Sequence, residues 1–369
     1  MSSPALPLKI LETIFDTLAQ DDPFRSSLKT CSLVCKLFLE LCRKHIYASI
    51  SIDGRPQLPI PEPTAAAFVR LLFSTPEIAD HIRKLYWIIL LEDFDEPSLP
   101  GTLEKITKLE SLIIYWPLER IPEWCENRLR TGILHLMHLP TLLRLEICYI
   151  QDFMFTDLIP CIHLRELGLD CTKPLETENF TFSSTFPSKP LPLHRLSFGP
   201  GSSTAISKII ASLRPDSTPT LFNLSALPSI SFRLSQSDDV EASRQLLQHC
   251  SQLTDIDISI DSSPLTWKGL AKMVNPSIAT LTRLRFLIYT DDDGTGTNDP
   301  LGGLIAELEE LRHCQNVIAK MIIDVHVAEC SEGDDWGRLD RVLTQSSGWS
   351  KLEHPIPETV VQQIRCVPP

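Results

Sequence analysis

Ten short apolar triplets recur along the chain, and they constrain its fold more than any other feature. Each triplet has the form apolar-x-x-apolar-x-apolar, and successive triplets begin 22 to 35 residues apart. The last two apolar residues of each triplet alternate with other residues, which is typical of a short strand with one buried face. The triplets begin at Tyr47, Ile82, Leu109, Leu142, Leu164, Leu193, Leu227, Leu253, Leu284 and Ile318.

Segments of helical character separate these strands, and proline-rich turns lie between them. The chain has 29 prolines but only 14 glycines among 369 residues. It therefore has many residues that end helices and strands, and few positions where two backbone segments can approach closely. A strand and a helix of this size cannot bury their apolar faces alone, and neighbouring units therefore stack. The sequence predicts an α/β fold in which a curved parallel sheet is backed by helices.

The triplets resemble the Leu-x-x-Leu-x-Leu core of the leucine-rich-repeat family. The resemblance covers about residues 47 to 327 and implies an irregular solenoid of stacked strand–helix repeats. An ordinary doubly wound α/β domain is the alternative reading of the same strands and helices. Against it, no strand is followed by the glycine-rich turn that a dinucleotide site needs.

Residues 4 to 46 lack the strand pattern and instead carry three short apolar helical stretches. The first has apolar residues at spacings of four and ends at Asp21, Asp22 and Pro23. A second stripe runs from Leu28 to Phe38, and a third helix ends near His45. Three helices of this length have too little interior to hide all their apolar side chains, so we expect an exposed apolar patch.

This segment resembles the F-box, through the run from Leu6 to Leu11, then Ile14, Phe15 and Leu18, and the run from Cys31 to Phe38. The whole chain is similar to the divergent F-box and leucine-rich-repeat proteins of fungi. The resemblance implies that the helices bind the Skp adaptor, which connects F-box proteins to a cullin-RING ubiquitin ligase. The residues that match adaptor-facing or supporting positions are Leu6, Pro7, Ile10, Leu11, Phe15, Leu33, Val34, Lys36 and Phe38.

The expected function is therefore that of a substrate-recognition subunit of a Skp–cullin–F-box ubiquitin ligase. The residues that alternate with the apolar triplets would line the concave sheet face and bind an unknown protein target. Aromatic and arginine side chains dominate interface energetics, so they are the anchor candidates. These candidates are Tyr86, Tyr115, Arg144, Arg195, Arg233 and Phe286.

The alternative function is that of a leucine-rich-repeat interaction scaffold without ubiquitin-ligase association. Two features of the helical segment keep this alternative open. Lys9 stands where F-boxes usually have an acidic residue, and Phe38 stands where they often have tryptophan. The helices would then only cap the first repeat, since solenoid ends need covers. A hydrolase or transferase on an α/β sheet is a third, weaker hypothesis.

Catalytic and cofactor motifs are missing from the sequence. It contains no P-loop, His-Glu-x-x-His, Gly-x-Ser-x-Gly or dinucleotide turn, so we expect neither enzymatic activity nor a cofactor. The acidic run from Asp291 to Asp299 lacks the glutamate of a calcium loop, which favours a solvated turn. Eleven cysteines without paired Cys-x-x-Cys spacing indicate reduced thiols rather than a metal site or a disulfide framework.

Charge and hydropathy narrow the expected partners and location. The net charge of −13 and the absence of a basic cluster argue against nucleic-acid binding. No apolar run approaches the length of a membrane span, and no secretory signal pattern is present, so we expect an intracellular protein of the cytoplasm or nucleus. The predicted organisation is a helical module at 1–46, a repeat array at 47–333 and a C-terminal cap and tail at 334–369.

Overall fold

A computed structural model gives the fold of the chain, which divides into two compact units, Met1–Leu164 and Arg165–Pro369. The structure describes residues 7–22, 25–54, 63–117, 123–176, 190–213, 220–260, 267–290, 301, 303–327, 335–344, 348–349 and 351–352.

The first unit begins with three helices and continues with alternating strands and helices. Short 3₁₀ turns complete its connections at Pro76–His81, Leu91–Asp95 and Phe155–Leu158. Its helices and strands are α1 (Leu8–Asp21), α2 (Ser26–Cys31), α3 (Lys36–Ile46), β1 (Ser49–Asp53), α4 (Ala65–Ser74), β2 (Lys84–Ile88), α5 (Leu99–Leu103), β3 (Ser111–Tyr115), α6 (Leu129–Met137) and β4 (Arg144–Cys148).

The second unit repeats the strand–helix alternation, with 3₁₀ turns at Leu224–Ala226 and Asn275–Ser277. Its elements are β5 (Glu166–Asp170), β6 (Arg195–Phe198), α7 (Ser203–Ser212), β7 (Ser229–Leu234), α8 (Ser237–Leu247), β8 (Asp255–Ile260), α9 (Leu270–Val274), β9 (Arg283–Thr290), α10 (Leu304–His313), β10 (Lys320–Val327) and α11 (Asp335–Thr344).

The strands of each unit pair in chain order and are parallel throughout the described part of the chain, β1 to β4 in the first unit and β5 to β10 in the second. The predicted parallel sheet backed by helices is confirmed. Neither unit contains the strand-order reversal of a doubly wound sheet within its described residues. That alternative reading of the sequence is therefore wrong.

A recurring pair of hydrogen bonds fixes the register between neighbouring strands. The carbonyl just before a strand accepts two backbone N–H groups from the start of the next strand; at Arg83 the donors are Glu110 and Ser111, at 2.7 and 3.0 Å. Each carbonyl thus fixes where the next strand begins, whatever the length of the intervening segment. The acceptors of this kind are Ala48, Arg83, Glu110, Arg165, Pro228, Thr254 and Thr282.

The apolar triplets form the core, as the sequence predicts. In the first eight triplets both strand residues are buried, and the intervening residues are mostly exposed or half-buried. The tenth triplet lies on β10, where Met321 and Ile323 are half-buried and pair with Leu284 and Phe286. One face of the sheet is therefore packed, and the other, which we call the open face, is largely uncovered.

The predicted position of the ninth triplet is wrong by three residues. The buried residues of that repeat are Leu281, Leu284 and Phe286, not a triplet starting at Leu284. The predicted target-binding Phe286 is 0% exposed and packs edge-on against Trp267, with ring centroids 5.1 Å apart. The strand is apolar in both phases, so its pattern is ambiguous; the carbonyl of Thr254 sets the register and turns Phe286 inward.

The N-terminal helices pack around a small core of Phe15, Leu28, Leu41 and Cys42. The predicted second stripe through Phe38 is interrupted, because the chain turns after α2 and a new helix begins at Lys36. Cys35, which precedes α3, has extended backbone angles. Leu33 and Val34 consequently lie in the turn between two helices rather than on a helix face.

The last described helix covers the end of the second unit. Helix α11 contacts α10, and the buried Trp349 donates its indole N–H to the Val342 carbonyl at 2.9 Å. Both α11 and Trp349 belong to the segment 334–369, for which the sequence predicts a cap. The acidic run at 291–299, Asp334, the Trp336 side chain and residues 353–369 lie outside the described residues.

The register of β9 is tested by comparing two neighbouring substitutions. Phe286→Ala removes a fully buried ring and should lower the free energy of unfolding by about 3–5 kcal/mol. Leu287→Ala, on the half-buried side of the same strand, should cost about 1 kcal/mol or less. Urea denaturation measures both, and a larger loss for Leu287→Ala would contradict the observed register.

Candidate interaction surfaces

Exposed apolar side chains are concentrated on the three N-terminal helices. Ten large hydrophobic residues are strongly exposed in the described part of the chain, and six of them lie between residues 8 and 37. Of these six, the most exposed are Leu33 at 86% and Val34 at 67%, both in the turn before α3. The six residues, which we call the helical apolar surface, are Leu8, Ile10, Ile14, Leu33, Val34 and Leu37.

The predicted adaptor-binding residues divide into a surface group and a core group. Leu11, Phe15 and Phe38 pack in the helical core, where the two rings meet edge-on with centroids 5.0 Å apart. Leu6 lies outside the described residues. The exposed members are Pro7, Ile10, Leu33, Val34 and Lys36.

Leu8, Ile14 and Leu37 are exposed but are not among the predicted adaptor-binding residues. Their apolar character was visible, but a stripe pattern alone does not separate the buried from the exposed side of so short a helix. Exposure becomes predictable only once the packing of Phe15 and Phe38 is known, because those rings fill the available interior.

The helices are joined to the first strand through Arg25. Its guanidinium donates to the Ile46 carbonyl at 2.6 Å and to the Ser49 carbonyl at 3.3 Å. Burial lowers the pKa of Arg25 from its usual value. This contact orients the helical module on the start of the sheet and leaves the helical apolar surface uncovered.

Three tyrosines form a row on the open face of the first unit. Tyr86 on β2 and Tyr115 at the end of β3 have ring centroids 5.3 Å apart, and Tyr115 and Tyr149 are 6.3 Å apart. Tyr149 follows β4 in a left-handed backbone conformation, with φ of 65°. The half-buried Ile88 and Ile113 lie on the same face, opposite Tyr115 and Tyr86 in the strand register.

The ring at the centre of this row stays uncharged over the ordinary pH range. Burial, followed by the influence of Cys148, Glu146 and Tyr86, raises the pKa of Tyr115 above its usual value of 10. A neutral phenol keeps the electron-rich face of an aromatic ring and adds no local negative charge. The row is therefore an aromatic surface, not an anionic one.

Acidic side chains lie along the edge of the sheet at which the first unit's strands end. Asp93 is buried there and accepts hydrogen bonds from the Trp87 indole N–H at 3.1 Å and the Leu90 amide at 3.0 Å. The other described residues at 89–98, 123–128 and 149–154 carry six acidic side chains and one basic side chain, Arg128. The six, which we call the acidic edge, are Glu92, Asp95, Glu96, Glu123, Glu126 and Asp152.

The open face of the second unit carries ion pairs between neighbouring or next-but-one strands. Arg195 on β6 reaches Asp257 on β8 at 2.8 Å, across the small serines of β7. Arg285 and Asp324 are also 2.8 Å apart. Such half-exposed pairs fix side-chain positions and contribute little free energy.

The predicted target-binding residues lie mostly where expected. Tyr86 and Tyr115 meet on one face, Arg144 pairs with Glu146 at 3.0 Å, and Arg195 and Arg233 are exposed. Phe286 is the exception, since it is buried on the packed face. Correcting the register of β9 places two residues that were missed, Arg285 and Leu287, on the open face.

Tyr149 was also missed, because it falls one residue beyond its strand. Its position immediately after an alternating strand was the available signal, but alternation says nothing about a residue in a left-handed conformation. The geometry that brings its ring beside Tyr115 arises at the turn.

None of the nine cysteines in the described part of the chain forms a disulfide bond, and several of them are deeply buried. Burial raises the pKa of Cys161 and of Cys250 to about 12, which keeps both thiols protonated and unreactive. Across the described ranges, no group of three or more His, Cys, Asp or Glu side chains is arranged to hold a metal ion. None of the described helices combines the length and apolar character required to cross a membrane.

No protein-family model matches the chain, and no curated protein matches it.

Asp93 gives a signed test of the packing beneath the acidic edge. Burial raises the pKa of this carboxyl above its usual 3.8, so its contribution to stability is full below that value and is lost as the pH rises through the raised pKa. Asp93→Asn keeps an oxygen acceptor for Trp87 and Leu90 but cannot ionise. The urea midpoint of the variant relative to the wild type should therefore rise from about pH 4 to about pH 7.

The exposed neighbour Asp95 provides the control for this measurement. Asp95→Asn should leave the difference from the wild type nearly constant over the same pH range. A constant difference for Asp93→Asn as well would contradict the role of burial at Asp93.

Proposed function

We propose that this chain is the substrate-recognition subunit of a Skp–cullin–F-box ubiquitin ligase. In this proposal, the three N-terminal helices are an F-box-like module that docks on the Skp adaptor. The parallel sheet and its helices are a leucine-rich-repeat-like solenoid whose open face binds a protein target. The chain itself catalyses nothing, and the ubiquitin-transfer chemistry belongs to the rest of the ligase.

The observation that carries the proposal is the concentration of exposed side chains on the helical apolar surface. Six exposed large hydrophobics within 30 residues are costly for a protein in water, and such patches mark protein interfaces. Leu33 and Val34 project from a turn whose shape is fixed by the helices on either side. They are therefore preorganised to enter a hydrophobic surface on a partner.

The packing of Phe38 supports the F-box-like reading despite the departure at that position. Its ring packs against Phe15 in the small core of the three helices. A phenylalanine at this position is therefore large enough for this core. Lys9 is exposed and places a cation next to the helical apolar surface. A partner would meet a positive charge there rather than the negative charge usual in F-boxes.

The alternative is an interaction scaffold whose helices only cap the repeat array. The hydrogen bonds of Arg25 to the start of β1 favour a capping contribution, because they attach the helices to the sheet. Capping, however, uses the side of the module that faces the sheet. It leaves the six exposed apolar residues without a role, and the adaptor-binding proposal supplies one.

Co-expression with the Skp adaptor tests the proposal. The wild-type chain should co-purify with the adaptor, and the double substitution Leu33→Asp and Val34→Asp should weaken this association at least about tenfold, since two apolar contacts are replaced by charges. Both residues are exposed, so the variant should keep the circular-dichroism spectrum and thermal midpoint of the wild type.

Phe73 on α4 is the matched control because it is 82% exposed and lies outside the helical module. Phe73→Asp should co-purify with the adaptor as the wild type does. The proposal fails if the wild-type chain does not co-purify, or if the Leu33 and Val34 variant co-purifies equally well. Failure of the wild type alone favours the scaffold alternative.

A further inference from the structure

The row of tyrosines and the acidic edge lie side by side in the first unit. Tyr86 is in the middle of β2, Tyr115 ends β3 and Tyr149 follows β4, so the row slants toward the edge at which these parallel strands end. The acidic edge follows the same three strands. The tyrosine row and the acidic edge are thus placed toward the same end of these strands.

Basic side chains of the first unit's strands lie toward the opposite border. Lys84 and Arg144 begin β2 and β4, and Lys108 precedes β3. Lys108 is 3.3 Å from Asp80, and Arg144 is 3.0 Å from Glu146, so acidic partners offset both. At the tyrosine end, Arg70 lies near Glu96 and Arg128 follows Glu126, but acidic side chains still outnumber basic ones.

We propose that the tyrosine row and the acidic edge bind a basic, lysine- or arginine-rich segment of the target protein. Cationic side chains lie favourably over the faces of tyrosine rings, and the neighbouring carboxylates attract the same charges. This inference rests on the proposed use of the open face for a protein target. It does not depend on adaptor docking by the helical module.

The dimensions of the row suit an extended peptide. Three neighbouring parallel strands span about 10 Å at a spacing of about 4.8 Å, which is the length of about three extended residues. The rings are tilted by 50° and 42° to one another rather than stacked flat, so each presents part of its face. Side chains of an extended segment alternate between its two sides, so cationic residues at every second position face the rings.

The backbone at Tyr149 adds an independent observation. A bulky residue with φ of 65° is strained, and such residues cluster where a particular side-chain position is needed for binding. Here the left-handed conformation brings the third ring beside Tyr115. The backbone strain at Tyr149 is therefore the cost of extending the aromatic row past the third strand.

Peptide binding by the full chain, without the adaptor, tests the inference. The probe is a short fluorescent peptide of alternating lysine, arginine and serine, compared with a peptide of the same length that carries glutamate at the basic positions. A neutral proline-rich peptide is the third probe. We expect saturable binding of the basic peptide, weakened by salt, and no saturable binding of the other two.

Substitutions at Tyr86 separate ring contacts from simple apolar burial. Tyr86→Leu keeps an apolar side chain but removes the aromatic face, and should weaken binding about fivefold. Tyr86→Phe keeps the ring and should stay within about twofold of the wild type. Equal affinities for the two variants would overturn the role of the row.

Charge reversal on the acidic edge needs no change in the packed part of the unit. Glu92 and Asp95 are exposed, and replacing both with lysine should weaken binding of the basic peptide at least about tenfold. The matched control replaces the exposed Glu309 and Glu310 of α10 with lysine, which changes net charge equally in the second unit. If both double variants lose the same affinity, only net charge matters and the site is refuted.

The remaining outcomes also decide the inference. Preferential binding of the acidic or proline-rich peptide overturns it, as does a dimer in size-exclusion chromatography that Tyr86→Leu dissociates, since the occupant would then be a second copy. Absence of any peptide binding, with adaptor co-purification intact, overturns this inference and leaves the proposed function standing. Peptide binding without adaptor co-purification supports this inference and overturns the proposed docking on the adaptor.

Discussion

The strand-to-strand register is the constraint on which the rest of the structure depends. One carbonyl before a strand receives two N–H groups from the start of the next strand, and this arrangement recurs in both units. Once the start of a strand is fixed, period-2 alternation decides which side chains enter the core and which remain on the open face. The core, the ion pairs and the placement of Tyr86 and Tyr115 on the open face all follow from that choice.

Buried carboxylates add a second kind of link between consecutive repeats. Glu307 of α10 accepts the amides of Gly269 and Ala271 at 2.6 and 2.9 Å, which caps the start of α9 in the preceding repeat. Asp157 similarly accepts the Trp124 indole N–H and the Arg130 guanidinium, both at 2.8 Å. A buried charge is tolerated in these places because several donors surround it.

The sequence predicts the repeat architecture well because apolar spacing is a direct record of burial. The prediction fails at β9, because both phases of this strand carry apolar residues. Only the hydrogen bonds that the Thr254 carbonyl accepts select one phase for the core. The sequence also identifies the N-terminal helices but not which side of them is exposed, because that depends on how Phe15 and Phe38 fill the interior. The position of Tyr149 could not be predicted from the sequence pattern, because it is set by a backbone angle and not by a periodicity.

The local fixing of register has a consequence for how such a chain can change over time. The segments between strands vary in length, yet each strand start is positioned by a carbonyl of its neighbour, so an insertion among the helices need not move the open face. Side chains on that face can also be replaced one at a time without altering the packed triplets. Binding preference and folding are thereby encoded in separate sets of positions, and selection can act on one while the other is preserved.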